Sequence, residues 1–339
     1  GSHMIIITGA TGFIGSNICN TLCDRYDVVA LDNLFLGDPS HLTSGVRFVE
    51  GDAADPTTLD SLGVFECIIH FGGTTSAPMF TNNLVNAYRN SIISFLEVLE
   101  VAKRTHVMKV LFASTSSLYR NTTPPVTETH TPLATNHYSV TKIAMEHIAQ
   151  CYQKTNPDMD IVGFRFMSIY GPHEEHKGIY ANLVSQFTWG MMRGERPIVY
   201  GDGTQTRDFT NVMDVVQGLT LAMEHPSPLG FQVFNIGTAK SVNLLDVIGY
   251  INEALGTSIE PQHIENPVKE TYIRTQLADI SKISSVLGYK PSVPLKEGIA
   301  VLVEAGAEGV RAEQDAGGRL EPADEFRARQ FALPHDGDA

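Results

Sequence analysis

The stretch TGATGFIG, residues 8–15, follows the apolar run at residues 5–7 and leads into a segment with helical periodicity. Its glycines, Gly9, Gly12 and Gly15, recur every third residue. A tight turn from strand into helix needs the first. Close approach of the backbone to a pyrophosphate uses the second, and packing of helix on strand uses the third. The N–H groups at the start of that helix then face the phosphates. Glycine turns are common, so the triplet gains its meaning from context: a strand before it, a helix after it, and a place at the head of the chain.

The rest of the first half fits that start. Runs at 5–8, 28–32, 46–52, 67–71, 109–114 and 161–166 are rich in β-branched and aromatic residues. Helical periodicity lies between several of them, notably at 83–104 and 138–155. Such alternation predicts an α/β chain with a Rossmann-type, doubly wound parallel sheet covered on both faces. The second half is less regular, with helices expected near 180–193, 212–224, 243–254, 279–287 and 295–305. The expected organisation is a dinucleotide-binding domain at 4–166, rejoined by about 212–240. A smaller C-terminal α/β substrate domain at 167–305 is interleaved with it. From 306 to 339 the composition turns to Ala, Gly, Glu, Asp and Arg, with little to bury, and a disordered or loosely docked tail is expected.

Charge and cysteine content narrow the function. A formal charge of −14 argues against a nucleic-acid partner or an anionic membrane surface, both of which want a basic face. No apolar run reaches membrane-spanning length. Gly1, Ser2 and His3 read as a tag remnant, so the native start is expected at Met4, directly in a strand; a cytoplasmic enzyme is the expectation. Cys19 and Cys23 stand one helical turn apart, but two thiolates alone make a poor metal site, and small apolar packing is the better reading. Segments 83–104 and 138–155 carry apolar residues on more than one side. A homodimer built from them, or a deeply buried helix pair, would account for this.

Two carboxylates bear on the cofactor. Asp32 ends the second strand, where it would accept both ribose hydroxyls of an adenosine and repel a 2′-phosphate, favouring NAD over NADP; a helix cap or turn is the plainer alternative. Asp52, after the third strand, is placed to accept from the adenine amino group, although Asp after Gly is also ordinary turn chemistry.

The sequence HYSVTK puts Tyr138 and Lys142 four residues apart, on one face of a helix. A tyrosine with a pKa of about 10 is a poor base at neutral pH. A lysine ammonium about 4 Å away, at an effective dielectric near 20, offers its phenolate roughly 4 kcal/mol. Before desolvation, that corresponds to about three pKa units. Tyr-x-x-x-Lys recurs by chance on helices; here it follows a glycine-triplet turn and a strand ending in hydroxyls.

At this point the chain resembles the extended short-chain dehydrogenase/reductases, over about residues 4–305. TGATGFIG, Asp32, Gly51-Asp52, Asn90, STSSLY, YSVTK, RFMSIYGP and YGDGTQTRDFTNVMDVV stand in the order that family shows. The likeness is greatest to NAD-dependent nucleotide-sugar epimerases of the UDP-glucose 4-epimerase type. It implies Tyr138 as base, Lys142 as its activator and ribose anchor, and Thr115 as the hydroxyl that bonds the sugar O4. For the cofactor it implies, beside the glycines, Phe13, Ile14, Asp32, Asn33, Asp52, Ala53, Phe71, Gly72, Gly73, Asn90, Ser114 and Met167. On the substrate side it implies Ser116, Ser117 and Ser168, with Asn182 and Leu183 along the diphosphate. Tyr200 would pack on the base and Arg207 grip the pyrophosphate, a task suited to a guanidinium fork.

Several positions depart from the family pattern. Ser168 replaces the usual asparagine, Gly72 and Gly73 replace two alanines, and Arg120 replaces a glycine. Lys269, in KETY, stands where an Arg-Pro-Gly-Asp stretch is usual, and Thr75 and Ser76 belong to an unusual sugar-side loop. HEEH at 173–176 lacks a third metal ligand nearby and reads as a solvated or substrate-lining loop. The related 4,6-dehydratases carry Asp and Glu where this chain has Ser116 and Ser117. Elimination needs a carboxyl acid and base, which serines do not supply. The resemblance therefore implies a nucleoside-diphosphate-sugar 4-epimerase, UDP-sugar first. Dehydratase, decarboxylase and dehydrogenase chemistry are alternatives on the same fold, and a non-catalytic NAD-binding regulator comes from another class.

Overall fold

The computed structural model describes residues 3–33, 38–63, 65–72, 83–120, 122–175, 177, 181–226, 228–267 and 272–315. Gly73, Thr75, Ser76 and Lys269, and the tail from 316 onward, lie outside the described residues. The first strand, β1 (Met4–Thr8), alternates its isoleucines between two cores: Ile5 and Ile7 enter one, Ile6 the other. A strand apolar on both sides belongs in the middle of a parallel sheet, and β1 is there.

Among the described residues seven strands form that sheet, all paired in parallel. To one side of β1 lie β2 (Asp27–Asp32) and β3 (Arg47–Glu50). To the other lie β4 (Cys67–His70), β5 (Lys109–Thr115), β6 (Asp160–Phe166) and, numbered last in this series as β7, Phe231–Ile236. The chain adds strands in one direction from β1 and then returns to add them in the other. The order reverses between β1 and β4, the crevice where doubly wound folds take dinucleotides.

Helices cover both faces, as the alternation predicted. α1 (Phe13–Leu22) packs on the Ile5 face; there Cys19 is fully buried among apolar neighbours, the packing expected of it. α2 (Pro56–Ser61) lies on the Ile6 face with the long helix of residues 84–104 and α5 (His137–Thr155). The long helix is not uniform: α3 (Leu84–Tyr88) and α4 (Ser94–Arg104) are joined by a π-helical stretch at Arg89–Ile93. Such single π turns re-aim side chains and are frequent at functional sites; this one contains Asn90.

The second unit has its own core, built on α6 (Leu183–Met192), α8 (Leu244–Leu255) and α10 (Leu295–Asp315). α7 (Val212–Glu224) and α9 (Ser281–Leu287) instead return to the Ile5 face of the sheet. Asparagine caps start α5, α6, α7 and α8: the side chains of Asn136, Asn182, Asn211 and Asn243 accept from backbone N–H groups of the first turn. One sequence expectation is corrected here. The last helix does not stop at 305 but runs to Asp315, because AGAEGVRAEQD, though poor in core residues, is rich in helix formers.

Candidate active site

The cradle at the end of β1 separates the three glycines by role. Gly9 has φ +63°, and a Cβ there would stand 2.5 Å from the Phe71 carbonyl carbon. A Cβ on Gly15 would stand 2.5 Å from the Gly9 carbonyl oxygen. Both are demanded by the chain's own packing. Gly12 is different: a Cβ would meet nothing nearer than the Gly9 carbonyl, at 3.4 Å, and its φ of −70° suits any residue. The chain's own packing leaves room for a side chain there, and a pyrophosphate on the helix start would use that room. Phe13 is buried beside the turn, and Ile14 packs against the core below it.

Asp32 is buried, and its Oδ2 accepts from the Thr11 amide at 2.9 Å and the Thr11 hydroxyl at 2.6 Å. The carboxylate thus reaches over the glycine turn from the neighbouring strand, where a ribose would lie; Asn33 beside it is exposed. The exposed Asp52 accepts from the Ala54 amide at 2.8 Å, the turn chemistry named as its alternative, while Ala53 is buried. On β4's end, Phe71 packs with its ring tilted by 40° against Phe166, 6.4 Å between rings, and the Gly72 amide donates to the Thr8 hydroxyl at 3.1 Å. The same hydroxyl meets His70 Nδ1 at 2.6 Å. Burial pushes His70 down to about 3, with Lys142 adding to the effect, so it is neutral.

α5 carries both Tyr138 and Lys142. Tyr138 is 5% exposed and packs on Ala87 of α3, while Lys142 is buried one turn further along α5. Lys142 Nζ donates to the Ala113 carbonyl at 3.0 Å and lies 5.7 Å from the centre of the Tyr138 ring. Burial lowers Lys142 to about 8, with Glu146 pulling the other way. At the end of β5 the Thr115 hydroxyl donates to Ser117 Oγ at 3.2 Å and accepts from the Ser117 amide at 3.1 Å. Ser116 and Ser168, far apart in sequence, are bridged by Gln276: Nε2 donates to Ser116 Oγ at 3.2 Å, and Oε1 accepts from Ser168 Oγ at 2.8 Å. Met167 is buried next to them. Ser114 gives its hydroxyl to Glu146 at 2.6 Å.

The predicted nucleotide side is more structural than expected. Asn182 caps α6, its Oδ1 accepting from the Val184 amide at 2.9 Å, and the Leu183 side chain lies in the second core. Tyr200 is buried with its ring 6.1 Å from that of Tyr272, and Arg207 Cζ lies over the same Tyr272 ring, 5.1 Å from its centre. The loop HEEH is not simply solvated. Glu174 is fully buried, accepting from the amides of Gly171 (3.3 Å) and Asn182 (3.0 Å) and from the Ser185 hydroxyl. A carboxylate that ties a loop to a helix start reads as surface charge in a sequence, which is why it was misplaced. Among the described residues no group of three His, Cys, Asp or Glu side chains could hold a metal.

Sequence reasoning missed Glu146, Arg165, Gln276 and Tyr272. For Glu146 a signal existed: it continues the Tyr138–Lys142 spacing by one more turn. Gln276 and Arg165 gave none, since only tertiary pairing brings them in.

The sequence profile of the NAD dependent epimerase/dehydratase family matches residues 5–237. The chain is 31% identical over 308 residues to the putative UDP-glucose 4-epimerase of Methanocaldococcus jannaschii, covering 88% of this chain and 97% of that protein. The UDP-glucose 4-epimerase of Thermotoga maritima, solved with UDP-glucose, superposes with a TM-score of 0.82 at 28% identity, over 91% of this chain and 99% of that one. The UDP-N-acetylglucosamine 4-epimerase of Methanobrevibacter ruminantium superposes with a TM-score of 0.83 at 25% identity, over 91% and 99%.

Proposed function

This chain belongs to the NAD-dependent epimerase/dehydratase family, and from that premise we propose that it inverts C4 of a nucleoside-diphosphate sugar, a UDP-sugar first. What supports the reading is Tyr138 and Lys142 one turn apart on α5, Lys142 bonded to the strand that ends in Thr115, and the absence of a carboxyl at 116 or 117. The glycine turn and Asp32 would hold NAD, whose chemistry would be to accept hydride from C4 and give it back. Tyr138 takes the O4 proton, with Lys142 favouring the phenolate. Thr115 holds O4. The 4-keto sugar turns in the pocket, and Tyr138 returns the proton once C4 is reduced on its other face.

The names of the relatives support a UDP-sugar, and the serines at 116 and 117 disfavour a dehydratase. Nuclear magnetic resonance of products from a panel of UDP-, dTDP- and GDP-sugars, incubated with protein and NAD⁺, tests this. An inverted C4 with an intact C6 hydroxymethyl is the expected product. A 4-keto-6-deoxy sugar, an exocyclic alkene or released CO₂ overturns it.

The working form we propose is a homodimer through the helix of residues 84–104 and α5. Leu84, Val85, Ile93 and Leu96 on the one, and Val140 on the other, are exposed apolar side chains. An open apolar hollow of about 430 Å³ runs along α5, between His147 and Thr155. Light scattering on a sizing column reads this directly: a monomeric mass rules it out.

A further inference from the structure

We infer that Glu146, clamped by Arg165 and Ser114, is a positioning residue that holds Lys142 against the strand carrying Thr115 and so sets how readily Tyr138 exchanges its proton. The inference rests on the reading of Tyr138 as the base. It starts from sheet register. Ser114 on β5 pairs with Arg165 on β6, which pairs with Asn235 on β7. These three polar residues form one row across three adjacent strands at their carboxyl ends. Ser114 and Arg165 project onto the face that α5 covers, beyond the apolar Phe112 and Ile161.

The row converges on one carboxylate. Arg165 Nη2 and Nε donate to Glu146 Oε1 and Oε2 at 2.6 and 3.0 Å, and Ser114 Oγ donates to Oε2 at 2.6 Å. Arg165 Nη1 donates to the Tyr119 hydroxyl at 2.9 Å, which donates to Asn235 Oδ1 at 2.6 Å. Asn235 Nδ2 in turn reaches the carbonyls of Val126 (2.9 Å) and Asp279 (3.1 Å). The network is buried and satisfied throughout.

A buried ion pair of this kind adds little stability over well-packed apolar residues of the same volume. Its place, however, is specific. Glu146 lies one helical turn beyond Lys142, so α5 is tied to the end of β5 at two consecutive turns: Lys142 to the Ala113 carbonyl, Glu146 to Ser114. The next residue on that strand is Thr115. The two ties fix the register of Tyr138 against Thr115. Glu146 also opposes the tendency of burial to strip the proton from Lys142. The other groups facing the pair are the neutral His70 from β4, Tyr119, Glu128 (3.0 Å from the Asn235 amide) and Lys282 of α9.

The test is ultraviolet difference titration of the Tyr138 phenol, each protein measured against the same protein carrying Tyr138→Phe, in wild type, Glu146→Gln and Ser114→Ala. If the clamp acts through Lys142, both variants raise the midpoint toward about 10, Glu146→Gln by about one unit or more. Turnover then falls in step, while KM for the sugar nucleotide stays within about twofold. Unchanged midpoints in both variants overturn the inference. So does a lower midpoint in Glu146→Gln, the sign expected from simply deleting a negative charge. Should Glu146→Gln fail to fold, Ser114→Ala, which leaves the ion pair intact, decides alone. Normal turnover in Tyr138→Phe would instead sink the reading of the base itself, whatever the titrations give.

Discussion

The Lys142 ammonium lies 5.7 Å from the centre of the Tyr138 ring and donates to the Ala113 carbonyl at 3.0 Å. One helical turn fixes the first relation and the packing of α5 on β5 fixes the second. The charge that favours the tyrosinate is therefore held by backbone, not by a mobile side-chain partner.

Because burial lowers Lys142 to about 8, its ammonium is present below that pH and lost above it. Turnover should fall as pH rises through about 8, and Lys142→Met should remove this limb along with most of the rate. Tyr138→Phe should lower kcat by roughly 10²-fold or more with NAD binding nearly intact. A pH–rate profile flat to pH 10 or beyond would contradict the assignment of Lys142.

The glycine turn separates ligand from packing. Gly12→Ala should keep the melting temperature within about 2 °C while weakening NAD binding, since only the ligand needs that space. Gly15→Ala should destabilise the fold, because its Cβ would press on the Gly9 carbonyl at 2.5 Å. Thermal melts with and without NAD distinguish the two.

Asp32→Ala removes a carboxylate that steadies the turn through Thr11 and that, in the proposed reading, would accept the ribose hydroxyls. NAD affinity should drop by roughly 10- to 100-fold, and the gap between NAD and NADP should narrow. Calorimetric titration with both dinucleotides measures it. Equal binding of NAD and NADP by the wild type would refute this role.

His70 makes acid stability a local matter. Its folded pKa, about 3, lies below the unfolded value of 6.5. Its contribution is complete above about 6.5 and is lost as the pH falls toward about 3, since the unfolded chain then binds the extra proton. Denaturant titrations between about pH 7 and pH 4 should show His70→Asn with a flatter loss, by up to about 1.4 kcal/mol per pH unit.

The elements of the central sheet and the pair Tyr138–Lys142 were legible because they depend on local spacing: period two in the strands, one turn in α5. Asp32 was legible because a strand end has a fixed relation to the turn beside it. The row Ser114–Arg165–Asn235 was not, since register between distant strands brings it together. Gln276 arrives only through tertiary pairing of the 274–280 segment with 126 and 206. Glu174 misled because a charged loop looks wet until its carboxylate is seen to serve a helix start.

The central claim is that C4 is oxidised and then reduced on its other face by the same hydride. UDP-glucose carrying deuterium at C4, incubated with the protein and NAD⁺ in ordinary water, tests it most directly. The account predicts UDP-galactose that keeps the deuterium at C4. Deuterium lost to solvent, or a product with C4 unchanged, would contradict it.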